Sequence, residues 1–310
     1  MAAPTNTYVS TSAIGNREDL TDIIDAITPT DTPFYSMIGK GKASGTLHEW
    51  QTQAPRAAGV NAHAEGDDTT ATAVTPQVRL GNRTQILKEA ASVSGTQEVV
   101  DKAGQRGEMA KQIALKSQEM KLDLEYALTR NNVTASSPRQ LRGLVGWMVG
   151  ANVSSGVGYA APNYVSNVAQ TDGTQRTFTE ALLKDTLQKT YVAGGRPTVL
   201  MMGAKAKQTF STFTGNATRQ KDAEDGKLSA AIDVYVSDFG TLKAVINIQQ
   251  RDRDVFALQP DKWKVAVLRP WQTSDLAKTG DSERKQILME ATLEAINPAA
   301  NGGVLDISTT

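Results

Sequence analysis

Residues 104–131 contain no proline, and from Glu108 to Leu128 nearly every residue favours a helix. At 1.5 Å per residue such a helix runs about 40 Å. Its apolar residues fall in two stripes. Met109, Ile113, Met120, Leu124 and Leu128 share one side at about 100° per residue, while Leu115, Leu122 and Tyr126 lie roughly opposite. A surface helix of a self-contained domain needs one apolar stripe, so the second predicts a covering layer from elsewhere in the chain or from another subunit.

The rest of the 310 residues divides around that helix. Residues 1–45 are rich in Thr, Ser, Pro and Gly, with an amphipathic island from Leu20 to Ile27 that Asn16 can cap and Thr28-Pro29 ends. Phe34, Tyr35, Met37 and Ile38 then form a dense apolar cluster before Gly39, so the segment reads as an arm tipped with anchors. From Thr46 to Gln53, residues alternate as in a strand, and strand character returns between Val74 and Val93. The connection, Ala54 to Thr75, carries an acidic tip at Glu65, Asp67 and Asp68 and almost nothing to bury. A polar loop of that length in a compact domain points to function or to an external partner.

After Asn131-Asn132 a Gly-, Ser- and Asn-rich stretch extends to Thr174. Thr177-Phe178-Thr179-Glu180 then resembles a capping box ahead of a helix ended by Gly194-Gly195. A buried strand over Thr198–Met202 and a helix over Ala204–Phe213 follow, with 215–229 read as an exposed loop. Strands are predicted at 232–236, 242–248, 255–258, 263–268 and 304–307. The fold class is α+β, without internal repeats or a heptad run.

Composition removes most chemistry. There is no cysteine, so thiolate nucleophiles, disulfides and iron–sulfur clusters are excluded, and two histidines, His48 and His63, cannot furnish an imidazole-rich metal site. His48-Glu49 opens like a zincin motif, but Thr52 stands where the second histidine belongs. Gly39-Lys40-Gly41 completes neither the dinucleotide nor the P-loop pattern, and there is no Gly-x-Ser-x-Gly elbow. The acidic tip lacks calcium-loop spacing, and Trp50, Trp147, Trp263 and Trp271 are scattered like core or interface anchors. No catalytic, cofactor-binding or metal residue is therefore assigned, and the chain reads as a non-enzyme.

Thirty-three basic and thirty-three acidic residues cancel, which argues against a dedicated DNA reader or an anionic-membrane binder. No apolar run approaches the roughly 20 residues of a membrane span, and the first ten residues show no signal-peptide pattern. A soluble product of cytoplasmic synthesis is expected. Surfaces that one chain leaves unsatisfied are commonly satisfied by copies of it, so the physics points to a homo-oligomeric structural protein.

This order of parts resembles the major capsid proteins of tailed double-stranded DNA bacteriophages, the HK97 fold. Two stretches carry the resemblance most specifically. Ile27-Thr28-Pro29-Thr30-Asp31-Thr32-Pro33-Phe34-Tyr35-Ser36-Met37-Ile38-Gly39 is similar to the N-arm signature of one podophage- and siphophage-type group. Leu276-Ala277-Lys278-Thr279-Gly280-Asp281-Ser282, followed by Gln286 to Asn297, is similar to its C-terminal signature.

The resemblance implies an N-arm over 1–45, an E-loop hairpin over 46–95, a peripheral domain over 96–174 with the spine helix at 104–131, an axial domain over 175–265, and a return of 266–310 to the peripheral domain. It implies self-assembly as hexamers and pentamers into an icosahedral head around double-stranded DNA held without sequence specificity. The virion capsid is then the location, with scaffolding, portal and decoration proteins as further partners. Phe34, Tyr35, Met37, Trp50, Arg79, Glu108 and Lys111 are the expected inter-subunit contacts. Deleting residues 1–38 is expected to leave a folded monomer unable to close shells.

One departure stands out. Self-cross-linking members need a lysine in the E-loop, and Thr46 to Leu87 has none, so closure is expected to be non-covalent. A nanocompartment shell of the same fold and another virion structural role are the alternative readings.

Overall fold

In the computed structural model, residues 31–68, 71, 73–100, 107–213 and 234–308 are described. The helix expected over 20–27 and the loop expected over 215–229 lie outside them.

Two sheets share the body. The first has the order β1-β12-β13-β4, formed by Gly39–Lys42, Trp263–Asp275, Ser282–Ala295 and Gln85–Ser94. Its centre is the long β12–β13 antiparallel pair, in register from Trp263↔Ala295 to Asp275↔Lys285. The register shifts twice, the second time between Arg269 and Gln272, where Pro270 has no N–H to give the ladder. Sequence alternation suggested a shorter strand followed by a polar stretch. Pairing carries both strands through those polar residues because β4 lies antiparallel to β13 as far as Ser94↔Ser282.

The long helix, α3 (Glu108–Thr129), lies on β4 and β13. Its first stripe is buried at Met109, Met120, Leu124 and Leu128, with Ile113 half-buried. The second stripe stays largely open: Leu115 is 37% and Tyr126 48% exposed. Ahead of β1, a short helix, α1 (Pro33–Met37), packs on α3.

The second sheet has the order β7-β14-β11-β8-β10-β9. Its strands are Val153–Ser154, Gly302–Val304, Val255–Leu258, Val199–Met202, Gly240–Ile246 and Val234–Ser237. The helices α4 (Glu180–Val192) and α5 (Ala204–Ser211) pack on this sheet. Its two faces serve two cores. Leu200, Met202, Val255 and Ala257 join Leu183, Leu187, Phe210 and Val304. Met201, Phe256 and Leu258, on the alternate positions, join the core formed with Phe34, Leu124, Trp147, Trp263 and Leu293. Burial on both faces is why the Val199–Met202 and Val255–Leu258 stretches read as unbroken apolar runs.

The chain from 266 to 310 contributes to both sheets. β12 and β13 lie in the sheet with β4, whereas β14 crosses to pair with β11 and β7. Glycine decides that crossing. A Cβ at Gly302 would stand 2.2 Å from the Thr190 hydroxyl, so only a bare backbone fits beneath α4. β7 likewise belongs to the six-stranded sheet.

Candidate interaction surfaces

A separate two-stranded hairpin, β2 (Leu47–Thr52) with β3 (Val78–Arg83), rises from the body, in register from Leu47↔Arg83 to Thr52↔Val78. Its base is held firmly. Asn82, fully buried, donates through Nδ2 to the carbonyls of Leu293 (2.8 Å) and Arg142 (3.1 Å) and accepts from the Arg142 amide (2.8 Å). Thr84 donates to Glu290 at 2.7 Å. Trp50 lies between His48 and Trp147, with ring centroids at 5.7 and 5.5 Å, and its Nε1 donates to the Ala295 carbonyl. The His48 ring meets the Glu294 carboxylate at 3.1 Å.

Beyond that base the chain is bare. Every described residue from 53 to 79 is exposed, Val60 at 97% and Val74 at 83%. Arg79 points outward and reaches Glu49 at 3.5 Å, an exposed pair of little energetic weight.

The arm residues dock on the body. Phe34 is 0% exposed and meets the Trp263 ring edge-on at 6.1 Å. The whole side chain is enclosed by its own chain. Tyr35 and Met37 are half-buried against the same core, and the Lys40 ammonium sits over the Tyr35 ring. The residue that seats this segment is Glu125 of α3. Its two carboxylate oxygens accept from the amides of Phe34 and Tyr35, each at 2.8 Å, and Oε1 also accepts from Asn247 at 2.6 Å. Burial pushes the Glu125 carboxyl above its usual range, against the opposing pull of these donors and of Lys40. A glutamate within a helix reads from sequence as a solvated position, so nothing in the pattern signalled it.

Glu108 and Lys111 lie half-buried at the far end of α3. There Glu98 accepts from the amides of Glu108 and Met109, which replaces the cap that Gly107 cannot supply. The expected contact residues therefore divide. Phe34, Tyr35, Met37 and Trp50 gather on one core, while Arg79, Glu108 and Lys111 stand apart from it.

A polar knot ties three loops behind the six-stranded sheet. Asp306, at φ 59°, accepts from the amides of Gly156 and Gly173 and pairs with Arg253. Asp172 pairs with Arg251 and Arg253. Burial alone would raise its carboxyl, but hydrogen bonds from Arg251 and Gln170 and the two guanidinium charges hold it below the usual range. Asp254 is fully buried with neither oxygen hydrogen-bonded, although Arg251 Nε stands 3.1 Å from Oδ2, and burial pushes it up to about 7. These groups brace loops and converge on no cleft. Among the described residues no group of three or more His, Cys, Asp or Glu is placed to hold a metal. No described helix is long and apolar enough to cross a membrane.

The body encloses its own cores yet projects a bare hairpin and leaves one stripe of its long helix largely open. The family model described as SU10 major capsid protein matches residues 3–308. The chain is similar to the major capsid protein of Escherichia phage Phieco32, 28% identical over 342 residues, covering 97% of each chain. Among solved structures it is similar to the cyanophage A-1(L) capsid asymmetric unit, with TM-score 0.66, 14% identity, and 94% and 97% of the two chains covered. It is also similar to the capsid of a native GTA particle, with TM-score 0.63, 11% identity, and 99% and 100% covered.

Proposed function

The chain belongs to the SU10 major capsid protein family and is a structural protein of the icosahedral phage head, and from that premise we propose that its hairpin and arm join copies into hexamers and pentamers that close the shell. The observation that carries this reading is the hairpin, welded at Asn82 and Trp50 and bare at every described residue from 53 to 79. Such a finger is costly to hold out unless another subunit receives it. The open stripe of α3, with Leu115 and Tyr126, supplies an apolar seat for neighbouring segments. Tyr35, Met37, Arg79, Glu108 and Lys111 retain exposed surface and serve as inter-subunit contacts, whereas Phe34 and Trp50 act inside the chain by fixing the arm and the hairpin base.

The role is binding without catalysis. Each contact recurs throughout the lattice, so modest energies sum to a stable shell. The equal counts of basic and acidic residues favour enclosing double-stranded DNA without reading its sequence. Scaffolding, portal and decoration proteins are the further partners, the membrane is not one, and synthesis takes place in the host cytoplasm. The absence of lysine from Thr46 to Leu87 favours non-covalent closure.

Negative-stain electron microscopy of the protein co-expressed with its scaffold, beside a variant in which a short Gly-Ser turn replaces residues 56–74, tests the reading. The intact chain is expected to form closed shells and the variant only isolated folded subunits or capsomers. Closed shells of normal size from the variant would refute a role for the hairpin tip. The arm is tested by removing residues 1–30. The longer 1–38 deletion strips Phe34 and Ile38 from the core and so confounds assembly with folding.

A further inference from the structure

Glu125 joins three parts of the molecule at one point. It stands on α3, one turn before the helix ends. Its Oε2 accepts from the Tyr35 amide, and its Oε1 accepts from both the Phe34 amide and Asn247 Nδ2. Phe34 and Tyr35 belong to a strap that continues into β1, which lies parallel to β12 at the edge of the four-stranded sheet. Asn247 follows β10 of the six-stranded sheet, and its own amide donates to the Met202 carbonyl at the end of β8. One carboxylate thus holds both the strap and the seam between the two sheets.

The donors are not independent. A carboxylate has a fixed plane, so the Asn247 bond sets where Oε1 and Oε2 point and hence how well they meet the two strap amides. In a buried site, a donor that loses its acceptor pays the full cost of desolvation. The charged group facing the carboxylate is Lys40 of β1, itself part of the strap. If the strap leaves, Glu125 loses two amides and that ammonium together. Asn247 is then left bound to a carboxylate stripped of most of its stabilisation.

We propose that Glu125 is a shared positioning residue that couples seating of the 33–42 strap to the junction between the two sheets, so that displacing the strap loosens the six-stranded unit against the spine. The coupling is a property of the subunit, beyond the shell-building role, and is read without any shell forming.

Hydrogen–deuterium exchange of the full chain tests it, with Asn247→Ala, Glu125→Gln and, as a control, Gln250→Ala. Gln250 lies in the same loop and donates to the Asp254 carbonyl without touching Glu125. Asn247→Ala removes a side chain whose hydrogen bonds go to Glu125, Met201 and Gln249 and not to the strap, yet it is expected to raise exchange across 33–42 by at least about fivefold, the low end of typical coupling between sites. Gln250→Ala is expected to raise exchange only around 250–254. Glu125→Gln, which turns an NH2 toward at least one of the three donors, is expected to expose the strap and the 247–250 loop together. Unchanged strap protection in Asn247→Ala would overturn the coupling, as would equal loosening of the strap by Gln250→Ala. Should Glu125→Gln fail to fold, the Asn247 and Gln250 pair still decides.

Discussion

Two antiparallel strand pairs in this protein obey the same alternation and meet opposite fates. β12 and β13 have β1 and β4 on their outer edges and a core beneath, with Trp263, Val265, Met289 and Leu293 nearly or wholly enclosed. β2 and β3 pair only with each other, and β2 alternates between exposed and half-buried without one buried residue. The contrast teaches that an alternating pattern specifies a strand but not its sufficiency. Stability comes from what covers the strand, and for the hairpin the cover ends near Leu80 and Asn82.

The largest test of this contrast removes a pillar of the covered pair. Trp263→Ala deletes the partner of Phe34 and the donor to Asn301, and should cost about 3–5 kcal/mol in denaturant unfolding. A loss below about 1 kcal/mol would mean that the body does not depend on its core as described. Asn82→Ala acts where hairpin and body join. It strands two buried carbonyls and one buried amide, and a loss of about 2–3 kcal/mol is expected in the same assay.

The body also carries a pH dependence that the Asp254 carboxyl should impose. Because burial pushes Asp254 up to about 7, the folded chain keeps a proton that the unfolded chain releases near pH 4. Folded protein binds more protons across that window, so this contribution is full at low pH and is lost as pH rises through the folded value. The intact protein should lose about 2 kcal/mol between pH 5 and 8 relative to Asp254→Asn. Parallel urea melts of both proteins at the two pH values check it, and identical slopes would refute it.

The smallest expected effect is the most telling. Replacing residues 56–74 by a short turn should change subunit stability by less than about 0.5 kcal/mol, because every described residue among them is exposed. A larger loss would show the tip packing on its own body and would dissolve the contrast between the two pairs.

Local pattern made much of this legible. The no-proline, two-striped helix is α3, and the alternation at 46–53 is β2. The apolar run near 200 is β8, buried on both faces. What stayed illegible had partners far away. Phe34 and Tyr35 read as free anchors because the carboxylate that seats them is about 90 residues distant, at a helix position that by residue type reads as solvated. Asn82 gave no sign of being the hairpin's weld, since its Leu293 partner lies 211 residues on. Asp254 sits in an alternating-charge run that suggests solvated pairs, yet the fold encloses it.

The sequence by itself determined the element types, the two-sided demand of the long helix, the bare tip and the exclusion of thiol chemistry, because periodicity and composition are local or global sums that need no coordinates. Tertiary structure alone decided that β14 crosses to the other sheet beneath α4, that the strap is clasped by Glu125, and that one helix stripe is covered while the other stays open. Those outcomes depend on which groups meet across one to two hundred residues. The burial energy that selects such meetings belongs to the assembled core, not to any window of the chain.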